Sequence, residues 1–141
     1  TALVSVMMAN NEVGTIEPIK ELGKITHSHG ALFHTDAVQA VGHIPINVKE
    51  LDVDMLSASA HKFNGMKGTG FLYVKKGLDL HPFLDGGAQE HSKRAGTENV
   101  AGIVAMATAL KKNCKQMELN TKKLREMENV FIKQIKKSGI L

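Results

Sequence analysis

Met55-Leu56-Ser57-Ala58-Ser59-Ala60-His61-Lys62-Phe63-Asn64-Gly65 is the stretch on which the reading of this chain turns. Met55–Ala58 is short and mostly apolar, the pattern of a strand buried in a sheet. The character then changes at once. A hydroxyl (Ser59), an imidazole (His61) and an amine (Lys62) follow, and His61 to Gly68 reads as a glycine-bearing loop. In open α/β sheets ligands gather at the carboxyl ends of strands, so a buried strand that empties into polar side chains marks a candidate site.

The flanking sequence supplies the rest of such a sheet. Upstream, Leu3–Ala9 reads as a strand covered on both faces, broken by Asn10-Asn11-Glu12-Val13-Gly14. Pro18 can open a helix that runs to about His29, with Ile19, Leu22, Gly23 and Ile25 near one face and Gly30 as its cap. Ala31–His34 is a second strand with Asp36 directly after it, Ala37–Val41 a turn or short helix, and Pro45 to Asp52 a connector. Downstream, Gly70–Val74 is a fourth strand and residues 77–98 are irregular. From about Asn99 one long amphipathic helix, or a pair, is expected. Its stripe of Ile103, Ala107, Leu110, Cys114, Met117, Leu124, Phe131 and Ile135 predicts core packing, the cysteine and methionine included. The fold class is therefore α/β, short strands feeding loops and ending in a long helix.

Composition narrows the function classes. The chain has 141 residues, 43% hydrophobic and 23% charged, which suits a single folded unit. Aromatics are 4% and Trp is absent, which argues against stacking platforms for single-stranded nucleic acid. Residues 1–110 carry nine basic and eleven acidic side chains, whereas 111–141 carry nine and three. A solvated helix face is the ordinary reading of that basic end; a nucleic-acid or acidic-partner surface is the other. Cys114 is the single cysteine, so no internal disulfide or CxxC site exists, and a reducing, cytoplasmic setting is expected. No apolar run approaches the ~20 residues that span a bilayer, so no membrane partner is expected. The abrupt apolar start and charged end lead to the expectation that the chain is a piece of a longer one.

Two side chains carry the candidate chemistry. A lysine just beyond a buried strand can lose solvation, which favours its neutral, nucleophilic form; the plain alternative for Lys62 is a lysine reaching to the surface. A carboxylate at a strand end can orient a cation or a base; the plain alternative for Asp36 is a cap on the turn that begins at Ala37. Ser59 and His61 could donate to a phosphate, and Gly65 and Gly68 would let backbone approach a ligand. The spacing of His34, His61 and His91 matches no metal site, and none is expected.

Four blocks taken together resemble one family. Ala9-Asn10-Asn11-Glu12-Val13-Gly14, His34-Thr35-Asp36-Ala37-Val38-Gln39, Ser57-Ala58-Ser59-Ala60-His61-Lys62-Phe63-Asn64-Gly65 and Arg94-Ala95-Gly96-Thr97-Glu98-Asn99 look like the signature blocks of cysteine desulfurases, in the family's order and near its spacing. These are enzymes of the class V aminotransferase group, which use pyridoxal 5′-phosphate (PLP). The resemblance extends over essentially the whole chain. It implies part of a large domain of the aspartate aminotransferase-like PLP-transferase fold, truncated on the N-terminal side. Residues 1–98 would form the PLP-binding part, and 99–141 a helical segment leading toward a C-terminal small domain.

The resemblance also implies roles. Lys62 would hold PLP as a Schiff base and shuttle protons. Asp36 would pair with the pyridine nitrogen, and Gln39 would hydrogen-bond the ring hydroxyl oxygen. Asn11 would lie beside the cofactor, and Ser59 and His61 would bind its phosphate. Thr97 would reach the phosphate of a neighbouring subunit's cofactor, which implies a homodimer. The reaction implied is L-cysteine to L-alanine with an enzyme persulfide, passed to a sulfur-acceptor protein such as an iron–sulfur scaffold or a tRNA-thiolation protein. Departures exist. Cys114 does not match the family's nucleophile, which is expected beyond Leu141 together with the arginine for the substrate carboxylate, and Met66 stands where the family usually has Pro. Alternatives are a selenocysteine lyase or another class V enzyme, a non-catalytic sulfur-transfer scaffold, and a nucleic-acid module resting on the basic end.

Overall fold

The computed structural model describes residues 1–139. Ile140 and Leu141, the last two positions of the expected 99–141 segment, lie outside the described residues. Four strands form one sheet in chain order: β1 (Leu3–Met7), β2 (Leu32–Asp36), β3 (Met55–Ser59) and β4 (Gly70–Val74). β1, β2 and β3 are parallel, and β4 runs antiparallel to β3. Helix α1 (Ile19–Ser28) crosses from β1 to β2, and α2 (Val48–Leu51) lies between β2 and β3. A single turn, α3 (Gln89–Ser92), precedes the long helix α4 (Val100–Ser138).

Side chains alternate across a strand, and the two faces of this sheet differ accordingly. Phe33 and Thr35 of β2 are fully buried, whereas Leu32, His34 and Asp36 between them are half-buried. The buried face packs with Val4 and Val6, Leu56 and Ala58 against Ile19 of α1 and Val53. Gly23 of α1 permits close approach there, because a Cβ on it would sit 3.2 Å from a ring carbon of Phe33. The other face carries a polar row: Ser5 Oγ is 2.7 Å from His34 Nδ1, and His34 Nε2 is 3.2 Å from Ser57 Oγ. β1 is the edge strand and Leu3 is 48% exposed, so among the described residues it is not covered on both faces as its apolar run suggested.

α4 is one continuous helix rather than a pair, capped by Asn99, whose Oδ1 accepts from Gly102 N at 3.0 Å. Its first part docks on the molecule: Gly102 and Asn113 are buried, and Met106, Ala109 and Leu110 pack against the core. Its second part does not. Leu124 is 62% and Phe131 64% exposed, and Cys114 is exposed as well. The expected core role of the whole stripe therefore fails beyond Asn113, because an amphipathic face shows what a helix can bury, not what lies within reach.

Candidate active site

The carboxyl ends of the three parallel strands lie side by side. Met7 is level with Asp36, and Asp36 with Ser57; the chain continues from these points as Met8 N–H donating to Asp36 O and Ala37 N–H to Ser57 O. Asp36 is thus the last residue of β2, and its carboxylate Oδ1 accepts the Val38 N–H at 2.9 Å. The turn-capping reading of Asp36 holds in the structure. It occupies one carboxylate oxygen and leaves the half-buried group at the sheet end. Gln39 is half-buried in the turn that follows, and Asn11 is exposed in the turn after β1.

Beyond β3 the chain makes a 3₁₀ turn over Ala60–Phe63. Ser59 Oγ and His61 Nδ1 are 2.8 Å apart, which places a hydroxyl and an imidazole together at the strand end. Lys62 is exposed between Ala60 and Phe63, both fully buried. Loss of solvation at the strand interior was one ground for its reactivity, and the chain's own residues do not supply it: the buried neighbours fix the lysine backbone while the amine extends to solvent.

The turn is strongly held. Ala60 N–H donates to Thr69 O at 3.0 Å and Gly65 N–H to Ala60 O at 2.8 Å. Asn64 takes a left-handed φ of 66° and ends the turn. A Cβ on Gly65 would fall 2.8 Å from Ala60 Cβ, so this glycine serves the turn's own closure rather than the approach of a ligand. Gly68 has a φ of +78° with open space around it. Two long-range bonds reach the same turn: His43 Nε2 donates to Lys62 O at 2.8 Å, and Asn113 Nδ2 to Phe63 O at 2.6 Å.

The structure therefore brings Asp36, Ser59, His61 and Lys62 to one end of the sheet, with Gln39 and Asn11 in the turns leaving it. Thr97 sits in the exposed segment before α4, and no hydrogen bond among the described residues ties it to that cluster. Sequence reasoning missed His43 and Asn113. Neither belongs to a local pattern, and their partners lie 19 and 50 residues away.

The sequence profile described as aminotransferase class-V matches residues 1–140. The chain belongs to the class V aminotransferase family. Within that family it is 56% identical over 137 residues to a cysteine desulfurase IscS of Dictyoglomus turgidum, an alignment covering 97% of this chain and 35% of that protein. A solved NifS-like protein superposes with a TM-score of 0.92 at 40% identity, over 97% of this chain and 38% of the other. A NifS-like protein from Rickettsia africae gives 0.91 at 40%, over 96% and 38%. The chain thus spans about a third of the length of the curated relatives it matches.

Class V aminotransferases are PLP enzymes, and the side chains at the sheet end suit that cofactor. A carboxylate at the end of β2 fits a protonated ring nitrogen, a hydroxyl with an imidazole fits a phosphate, and an exposed amine three residues beyond β3 fits an aldehyde carbon. Among the described residues no helix is long and apolar enough to cross a membrane.

Proposed function

We propose that the intact protein is a PLP-dependent cysteine desulfurase, converting L-cysteine to L-alanine and passing the sulfur on as an enzyme persulfide. The observation that carries this reading is the placing of Asp36, Ser59, His61 and Lys62 on adjoining strand ends, in a chain about half identical to proteins named cysteine desulfurases. When bound, PLP supplies the electron sink for bond cleavage at the substrate α-carbon.

The chain's own residues would do the following. Lys62 holds the cofactor through its Nζ and takes and returns the α-proton as a general base. Asp36 keeps the pyridine nitrogen protonated, using the carboxylate oxygen not engaged by Val38. Ser59 and His61 donate to the phosphate. Gln39 donates to the ring oxygen, and Asn11 lies beside the ring. Thr97 would complete the phosphate site of a second subunit, making the working form a homodimer. The sulfur-accepting thiolate is assigned outside these 141 residues, since Cys114 lies on α4, exposed, with no placement at the strand ends.

In the same reading residues 1–98 are the cofactor-binding part of a large domain and 99–141 lead to a smaller one. The persulfide is delivered in the cytoplasm to an acceptor protein of iron–sulfur assembly or tRNA thiolation. The test is to incubate the intact protein with PLP, reduce with borohydride and map the modified lysine by mass spectrometry, with Lys62→Ala as control. Selective modification of Lys62, with alanine released from cysteine, supports the reading. Scattered modification of surface lysines overturns it.

A further inference from the structure

The turn that carries Lys62 has an unusual support. Its last carbonyls lack partners within the turn, as at any helix end. They are taken up by side chains from two distant places. His43, after the turn that follows β2, donates Nε2–H to the Lys62 carbonyl itself at 2.8 Å. Asn113, on α4, donates Nδ2–H to the adjacent Phe63 carbonyl at 2.6 Å and to Ala109 O at 2.9 Å, while its Oδ1 accepts from Asn64 Nδ2 at 3.1 Å. Gly42 lets the two come together: a Cβ there would lie 3.0 Å from Phe63 Cβ and 3.3 Å from Asn113 Cβ. Asn113 is buried, but His43 is exposed, so its bond to Lys62 O is not required to fill a core.

A lysine side chain has four methylenes, and the position of its amine is no better defined than its backbone. We infer that His43 and Asn113 are positioning residues, a two-point clamp on the Lys62–Phe63 carbonyls that holds the lysine backbone so that Nζ presents at the cofactor's aldehyde carbon. This rests on Lys62 as the cofactor lysine. His43 needs only its Nε2–H, which both the neutral Nε2–H tautomer and the charged imidazole carry. Removing the clamp loosens Lys62 without removing any group that touches the cofactor.

The experiment uses the intact apo-protein, PLP as probe, and three variants: His43→Ala, His43→Gln and Asn113→Asp. Three quantities are read: the rate of borohydride-trapped incorporation at Lys62, the pH at which absorbance of the Lys62-bound cofactor titrates, and the thermal midpoint. His43→Ala is expected to slow incorporation roughly tenfold, the scale seen when a supporting partner of a functional group is lost, to move the titration, and to leave the thermal midpoint near that of the unaltered protein. His43→Gln, whose amide N–H can occupy the place of Nε2–H, is expected to restore both. Asn113→Asp, which puts an oxygen against the Phe63 carbonyl, is expected to slow incorporation as well. Unaltered rate and titration in His43→Ala overturn the clamp. Failure of the unaltered protein to incorporate PLP at Lys62 overturns instead the assignment of Lys62, and with it this inference.

Discussion

His27 and Asp54 meet at the end of the sheet opposite the candidate site, where His27 Nε2 lies 2.7 Å from Asp54 Oδ2. The same carboxylate oxygen accepts the Phe33 N–H at 2.8 Å, which locks the entry to β3 against the start of β2. Lys75, just past β4, closes the group: its Nζ is 2.9 Å from Asp52 Oδ1 and 3.5 Å from Asp54 Oδ1. Burial alone pushes the Asp54 carboxyl up. The Phe33 amide, His27 and Lys75 outweigh that and hold it below the ordinary carboxylate value.

Asp54→Asn keeps an acceptor for Phe33 and loses the charge. A cost of about 1–3 kcal/mol at neutral pH is expected, the range for hydrogen bonds to charged groups. Because the folded-state value is below the unfolded one, near 3.9, the contribution of Asp54 is present above the unfolded value and is lost as pH falls through the folded one. The stability gap between the intact protein and the variant, read by urea denaturation, should therefore shrink from about pH 6 to about pH 3. Lys75, raised mainly by its hydrogen bond to Asp52, titrates on the alkaline side and does not produce that acid loss. A gap as wide at the acid end as at neutrality would show that the charge is not what Asp54 contributes.

Gly42 has a φ of +80° and sits under both Phe63 and Asn113. Gly42→Ala should cost about 2–4 kcal/mol, adding left-handed strain to overpacking. Gly30 is the control. Its φ is +72°, but nothing lies within 4 Å of a Cβ there, so Gly30→Ala should cost only about 1–2 kcal/mol. Equal losses in a denaturation series would mean that contact with Phe63 and Asn113 is not the cause.

Thr35 is fully buried in β2, and its Oγ1 donates to Val6 O of the edge strand at 2.9 Å. Thr35→Val has nearly the same shape and removes that bond. A loss of about 1 kcal/mol is expected, together with faster amide exchange in Leu3–Met7 than in Met55–Ser59. Uniform exchange across the strands would argue that β1 does not depend on this anchor.

Much of the architecture was legible because its signals are local. Pro18 opens the chain into α1, Asn99 caps α4, and Gly70–Val74 is a strand with the bounds its sequence suggests. β2 runs to Asp36 rather than stopping near His34, since Thr35 and Asp36 pair with β1 despite their polarity. α2 hid in the connector, although Asn47 accepts from Lys49 and Glu50 N–H and donates to the Glu50 carboxylate, a local cap that its sequence contains. The strand-end cluster could be read from Asp36 and Ser59–Lys62. The groups that support it could not. His43, Asp54 and Asn113 act through partners far along the chain, and Asn113 interrupts the helix stripe as an ordinary polar residue would. Exposure of Lys62 and of the outer half of α4 could not be read either, because periodicity tells a face from its opposite and not what stands before it.

Asp36 has two tasks that substitution can separate. One carboxylate oxygen holds the turn through the Val38 N–H. In the proposed enzyme the charge keeps the cofactor's ring nitrogen protonated. Asp36→Ala removes both tasks and should cost about 1 kcal/mol of stability, as capping residues do, along with activity. Asp36→Asn keeps an oxygen for Val38, so its thermal midpoint should remain close to that of the unaltered protein. Alanine formation from cysteine should nevertheless fall on the order of a hundredfold, the scale of removing one electrostatic contact from a reacting centre. Asn at full activity would mean that Asp36 only caps the turn, and the site would then have to be assigned without it.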